Sequence, residues 1–222
     1  MGIVEDSPLL GSLFDGRVIA RVHSGISSMN TLYAEEARLV ASAVAVRQAH
    51  FTAGRLSAHA ALEALGIQHG PILSDAARAP IWPQGVVGSI THTDGFCGAV
   101  IALHTQYHGI GIDVEVRERV DEELWEQVLT PAELQRLRAQ PAARRKELAT
   151  IIFCAKEAFY KCQYQVTAAW LGFEGADVSL SEERFVLRLL DNVGTLTAGQ
   201  EFIGRFALLP TIVVAGIAMA SR

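Results

Sequence analysis

The segment Gly109-Ile-Gly-Ile-Asp-Val-Glu-Val116 constrains this chain most. Its isoleucines and valines alternate with Gly, Asp and Glu, a strand pattern over Ile110–Val116 in which residues two apart share a face. Asp113 and Glu115 therefore point to one side and Val114 to the other. Two carboxylates side by side among branched apolar residues repel one another and are expensive to bury without compensation. A cation removes the difficulty, and Mg²⁺ is commonly held by one or two carboxylates plus substrate phosphates. The alternative is a strand end running into Arg117-Glu118-Arg119 with both acids in water, and D-x-E alone is too short to decide. Gly109 and Gly111 let a backbone or a ligand come close.

The second segment is Phe153-Cys-Ala-Lys-Glu-Ala-Phe-Tyr-Lys161. Glu157 and Lys161 stand four apart on one helical face, and Lys156 flanks the glutamate. A surface ion pair of this kind contributes only about 0.2–0.5 kcal/mol. The surroundings speak against a surface pair, because Ile151, Ile152, Phe153, Phe159 and Tyr160 put apolar groups around nearly the whole helix. Charged residues on such a helix need a site. A third carboxylate and two cations beside the acidic strand make a metal and pyrophosphate site.

Around these segments the pattern reads as one globular unit. A strand is expected over Arg17–His23, and helices over Tyr33–Val46, with Glu35 and Glu36 in the first turn, and Gln48–Leu65, stopped by Gly66. Ile67–Gly88 reads as a long ordered loop. Strands follow at Val86–Thr91 and Cys97–Leu103, turned by Thr93-Asp94-Gly95. A short helix is expected over Asp121–Leu129, and Thr130-Pro-Ala-Glu133 has the form of a capping box opening another. A long helix covers Arg144–Tyr164, Trp170–Glu174 is a loop, and Arg184–Leu190, Glu201–Ala207 and Thr211–Met219 read as antiparallel strands. Helices followed by strands in each half give an α+β class. The halves, 1–105 and 106–222, show no clear repeat and no linker, so they are expected to fold as one unit.

Composition sets limits. With 222 residues and a net charge of −5, the chain is large enough for an ordinary core and has no broad basic surface for nucleic acid. Cys97, Cys154 and Cys162 match no zinc or disulfide framework and are expected to be reduced thiols in a cytoplasmic protein. The N-terminal stretch lacks a basic n-region, Asp6 spoils a myristoylation motif, and the longest apolar runs are too short to span a bilayer. No membrane partner is therefore expected.

An anion-binding end is weaker. Arg47, Phe51, Arg55 and His59 step by four along one helix, so the two arginines fall on one side and could hold an anion, but taken alone the spacing is better explained by a solvated face with Glu63 pairing His59. Ser89 and His92 end a strand after the Pro-rich loop.

Taken together, Phe51-Thr-Ala-Gly-Arg55, Pro80–His92, Gly111-Ile-Asp-Val-Glu115, Phe153–Lys161 and Trp170-Leu-Gly-Phe-Glu174 resemble the 4′-phosphopantetheinyl transferases of the surfactin/enterobactin-synthetase type. The likeness is greatest to the bacterial group that activates polyketide and nonribosomal peptide carrier proteins, and it covers most of the chain. It implies two similar α+β halves related by a pseudo-twofold, with coenzyme A in the cleft between them. Arg47, Arg55 and His92 would hold the 3′-phosphate. Ser89, Thr91 and the stretch Ser74, Asp75, Ala76 and Ala77 would line the nucleotide pocket. Asp113, Glu115 and Glu157 would hold Mg²⁺, while Lys156 and Lys161 would contact the phosphates and the pantetheine arm. Apo acyl or peptidyl carrier proteins would be the partners, and two covalently joined halves make a monomer sufficient. The family often has a basic residue where this chain has Ser74-Asp75, so Asp75 is expected to point away from the phosphate. Cys154 is expected to pack. The cluster Arg136, Arg138, Arg144, Arg145 and Lys146 either docks an acidic carrier or forms a solvated face. A Mg²⁺-dependent nuclease, which needs a basic groove, and a non-catalytic binding module with a decayed site are the competing readings.

Overall fold

The computed structural model describes residues 2–221 apart from 16 and 26; the outermost ends of the expected halves, 1 and 222, lie outside the described residues. Strand β1 (Ile3–Asp6), helix α1 (Pro8–Ser12) and strand β2 (Ile19–Ser24) come first. Helices α2 (Ala34–Val40) and α3 (Ala45–Ala64) lead to β3 (Val86–Thr93), β4 (Phe96–Leu103) and β5 (Tyr107–Val116). Helices α4 (Trp125–Val128), α5 (Pro131–Arg138) and α6 (Ala142–Thr167) follow, then β6 (Ala176–Ser181), β7 (Arg184–Leu189), β8 (Glu201–Leu208) and β9 (Ile212–Ala220).

The expected helix over Tyr33–Val46 is cut short at Val40. The Gln48 side chain, reaching back from α3, donates to the carbonyls of Val40 (3.1 Å) and Ala41 (3.2 Å). These are carbonyls that a helix end leaves open, and satisfying them fixes the break. Gly66 ends α3 at φ +74°, as the sequence indicates. Thr130 caps α5 and exchanges hydrogen bonds with Glu133. The long helix is longer than expected and stops on Ala168 in the left-handed region at φ +49°. Strands β1 and β6 and helix α1 were not expected. They are short, and β1 carries two acids in four residues, too little pattern to read.

Two antiparallel sheets result, one in the order β1-β2-β4-β3 and one in the order β5-β9-β8-β7-β6. Helix α3 packs on β2 and β4, and α6 packs on β5 and β9. The orders β2-β4-β3 and β5-β9-β8, each with a long helix packed on it, repeat one plan in the expected α+β class. Where they meet, β3 lies along β5, and side chains take the place of a backbone ladder. The Ile112 amide donates to Ser89 Oγ (3.1 Å) and the Val114 amide to Thr91 Oγ1 (2.9 Å). Apolar packing reinforces the seam, since Leu10, Phe14, Val87 and Val100 from the first half form one core with Ile110, Ile112, Val114 and Val214 from the second.

The glycines of β5 set the depth of α6. A Cβ at Gly111 would collide with the carbonyl of Ala158, and one at Gly109 with the carbonyl of Cys162. The helix backbone itself is what comes close. This approach brings the Glu157–Lys161 turn beside the acidic end of β5.

Candidate active site in the cleft between the halves

A cleft of about 920 Å³ runs between the halves. Its first-half wall includes Arg47, His50, Phe51, Arg55, Ser74, Asp75, Ala77, Trp82, Ser89 and His92. Its second-half wall is one stripe of α6: Glu157, Tyr160, Lys161, Tyr164 and Gln165. A smaller cavity of about 160 Å³ adjoins it at Glu157 and Tyr160, walled by Trp170, Leu171 and Phe173.

The first-half end of the cleft is cationic. Arg55 is buried, yet among the described residues its Nε has no hydrogen-bond partner and its Nη2 donates only to Ser74 Oγ (3.2 Å). The guanidinium lies 4.5 Å from the centre of the Phe51 ring. Burial brings its pKa down to about 10, with Glu36 opposing and Arg47 adding to the fall. Glu36, fully buried, keeps the arginine charged from behind at 3.9 Å and also accepts from His59 (2.8 Å) and the Ile72 amide (2.8 Å). Burial would raise the Glu36 pKa, but these donors and charges hold it below the usual carboxylate value. Arg47 donates to His92 Nε2 (3.1 Å), and His92 is pushed down to about 4 by burial and by the charges of Arg47, Lys161 and His50. An under-satisfied buried cation, a second arginine and a neutral histidine make a place for an anion.

The opposite end is acidic. Asp113 is buried on β5, accepts from Lys161 Nζ at Oδ1 (2.7 Å) and, among the described residues, leaves Oδ2 without a partner. Burial and the charges of Asp113 and Glu157 raise Glu115 to about 7. Burial also raises Glu157, with Lys161 opposing and Asp113 adding. For Lys161 burial acts downward, but Asp113 and Glu157 overcome it and raise its pKa.

Of the residues singled out from sequence, Arg47, Arg55, Ser74, Asp75, Ala77, Ser89, His92, Glu157 and Lys161 line the cleft. Three expectations need correction. Lys156 is not available to a phosphate: its ammonium donates to Glu133 (2.7 Å) and to the carbonyls of Val128 (3.0 Å) and Phe173 (2.7 Å), which uses all three protons. Thr91 is wholly buried in the seam, donating to Asp113 Oδ1 (3.4 Å) and accepting from Val114, so it orients the aspartate rather than facing a nucleotide. Ala76 sits exposed at a loop tip, outside the cleft wall. The three expected metal ligands are near enough to shift one another's pKa values but are not gathered into a ligand cluster. Among the described residues no three His, Cys, Asp or Glu side chains are placed to hold a metal ion.

Asp75 does turn away from Arg55. Its Oδ1 accepts from the Ala79 amide (2.8 Å) and its Oδ2 from Tyr164 (3.0 Å). Cys154 is fully buried against the Val213 carbonyl, and all three cysteines are free and buried. The basic cluster is largely neutralised within the chain: Arg136 pairs with Asp177, Arg144 with Glu147 and Lys146 with Asp121.

Sequence reasoning missed Tyr160, Tyr164 and Gln165. A signal was present, because from Glu157 they continue at steps of three, seven and eight along the face that carries Lys161 at four. It also took Glu36 for a helix-dipole acid and did not see it under Arg55; only the packing of α2 on α3 discloses that contact.

The 4′-phosphopantetheinyl transferase N-terminal domain family matches residues 35–102, and the 4′-phosphopantetheinyl transferase superfamily matches residues 109–201. The 4′-phosphopantetheinyl transferase PptT of Mycobacterium tuberculosis is 35% identical over 204 residues, which is 89% of this chain and 88% of the relative. The 4′-phosphopantetheinyl transferase Svp of Streptomyces mobaraensis is 37% identical, covering 87% of this chain and 80% of its own. A crystal structure of Thermotoga maritima holo-[acyl-carrier-protein] synthase aligns with 52% of this chain and 65% of its own, with a TM-score of 0.42 and 25% identity. With relatives of this identity and coverage, the chain belongs to the 4′-phosphopantetheinyl transferase superfamily.

Proposed function

We propose that this chain transfers the 4′-phosphopantetheine arm of coenzyme A to a serine of an apo acyl or peptidyl carrier protein, in a Mg²⁺-dependent reaction. The products are holo carrier protein and adenosine 3′,5′-bisphosphate. The observation that carries the reading is the polarity of the cleft: the under-satisfied Arg55 guanidinium at one end, and Glu157 with the Asp113-bound Lys161 at the other. In this reading, residues 1–105 supply the nucleotide end and residues 106–222 the reacting end.

Arg47, Arg55 and His92 bind the 3′-phosphate, and Ser74, Ala77 and Ser89 border the nucleotide, while Asp75 is turned to Ala79 and Tyr164. Asp113, Glu115 and Glu157 would hold Mg²⁺. Their fit rests on the buried Oδ2 of Asp113, partnerless among the described residues, and on the burial that, with the charges of Asp113 and Glu157, holds Glu115 up at about 7; a cation relieves both. When bound, Mg²⁺ would offset charge on the pyrophosphate oxygens.

The serine oxygen attacks the β-phosphorus, a new P–O bond forms, and the bond to the bridging oxygen of the pyrophosphate breaks. Glu157, which lines the cleft one helical turn from Lys161, takes the hydroxyl proton directly or through a water. Lys161, positioned by Asp113, stabilises charge on the departing phosphate. The small cavity beside Glu157 and Trp170 receives the apolar part of the pantetheine arm.

The test is incubation with coenzyme A, Mg²⁺ and several apo carrier proteins, followed by intact-mass measurement. The expected result is one added phosphopantetheine per carrier. Unchanged mass across all carriers would refute the assignment.

A further inference from the structure

Asp75 and Tyr164 come from opposite halves of the chain, both border the cleft, and Tyr164 donates to Asp75 Oδ2 at 3.0 Å. We propose that this hydrogen bond is a strap that holds the nucleotide-side loop against α6 and so sets the affinity for coenzyme A. The proposal rests on the function proposed above.

The loop is a closed unit within the first half. The Asp75 amide donates to the Ala79 carbonyl (3.0 Å), the Ala79 amide to Asp75 Oδ1 (2.8 Å), and the Arg78 amide to the Asp75 carbonyl (3.0 Å). Ser74 and Pro80 pair across its base, and Ser74 Oγ accepts from Arg55. Arg78 sits at φ +67°, a conformation that branched or bulky L residues rarely hold without support. One oxygen of Asp75 thus closes the loop and the other reaches the second half.

The far anchor is well chosen. Tyr164 lies one turn beyond Tyr160 and Lys161 on the stripe of α6 that carries Glu157. The strap therefore couples the loop bearing the Arg55 partner to the helix bearing the proposed base. It also gives the Asp75 charge donors of its own. Without the Tyr164 hydroxyl, that carboxylate is free to turn toward the cationic end of the cleft and compete with an anionic ligand.

Asp75 and Tyr164 are positioning residues, so the test must separate binding from turnover. Tyr164→Phe removes one hydroxyl, and we expect it to raise the calorimetric Kd and the KM for coenzyme A about 3- to 10-fold, the effect of one such hydrogen bond. It should leave kcat at saturating coenzyme A, the KM for carrier protein and the melting temperature unchanged. Asp75→Asn should retain wild-type affinity, since its oxygen accepts from Ala79 and its amide donates to the Tyr164 oxygen. Asp75→Ala should weaken binding, and adding Tyr164→Phe to it should weaken binding no further. Wild-type affinity in Tyr164→Phe would overturn the strap. So would an undiminished Tyr164→Phe effect in the Asp75→Ala background, which would mean that the hydroxyl touches the ligand directly. A wild-type chain that binds coenzyme A but modifies no carrier would sink the transfer reading alone; one that binds no coenzyme A would sink both.

Discussion

At the scale of single residues the site is governed by which charges have partners. Lys156 and Lys161 stand five apart in one helix, yet one is locked to Glu133 and backbone carbonyls while the other faces the cleft from Asp113. Removing a partner from a buried pair such as Lys156–Glu133 costs about 3–5 kcal/mol, so this lysine belongs to stability. His92 gives a pH prediction. Its folded pKa of about 4 lies below the ordinary 6.5, so between these values the unfolded chain binds a proton that the folded chain does not. Stability should therefore fall as pH drops from 6.5 toward 4. The shift corresponds to roughly 3 kcal/mol at most, cut to about 1–2 kcal/mol by water at the open edge of the ring. His92→Gln keeps an acceptor for Arg47 and cannot titrate. Melting temperatures at pH 7.5 and pH 5 should show a larger acid loss in the wild type than in this variant; parallel losses would mean that His92 is not a buried neutral group.

At the scale of elements, the contact between β5 and α6 builds the reacting end. Gly111 faces the Ala158 carbonyl and Gly109 the Cys162 carbonyl, so the strand that carries Asp113 and the helix that carries Lys161 meet backbone to backbone. Gly111→Ala should force α6 outward. We expect a loss of about 1–3 kcal/mol, the range for overpacking a close contact, together with loss of carrier modification. Denaturant unfolding and the mass assay measure the two effects, and an unaltered midpoint would show that the helix can withdraw freely. The strand itself was legible from its alternation of apolar and small or acidic residues, and α6 from its length and apolar content. The break between α2 and α3 was not, because Gln48 makes it by reaching back to carbonyls seven and eight residues away. Such a contact leaves no periodicity to read.

At the scale of the whole molecule, the halves share a core and a seam. Leu10, Phe14 and Val100 pack with Ile110, Ile112 and Val214, and Ser89 and Thr91 satisfy the amides of Ile112 and Val114. Neither half can keep that core dry alone, so calorimetry should record one cooperative unfolding transition, with calorimetric and van't Hoff enthalpies in agreement. Two resolved transitions would mean that the halves fold independently. The acidic strand, the Glu157–Lys161 face and the four-residue step from Arg47 to Arg55 were readable from sequence. Each is a local repeat whose geometry the backbone fixes at 2 or 3.6 residues per turn. The sequence by itself thus determined the α+β class and nine residues of the cleft wall, Arg55, Glu157 and Lys161 among them. The tertiary structure decided which charge faces which: Lys156 turned to Glu133, Thr91 to Asp113, Glu36 under Arg55, and Asp75 to Tyr164. These partners lie 19 to 89 residues apart along the chain, and burial and electrostatics act through distance in space, which spacing along the chain does not encode.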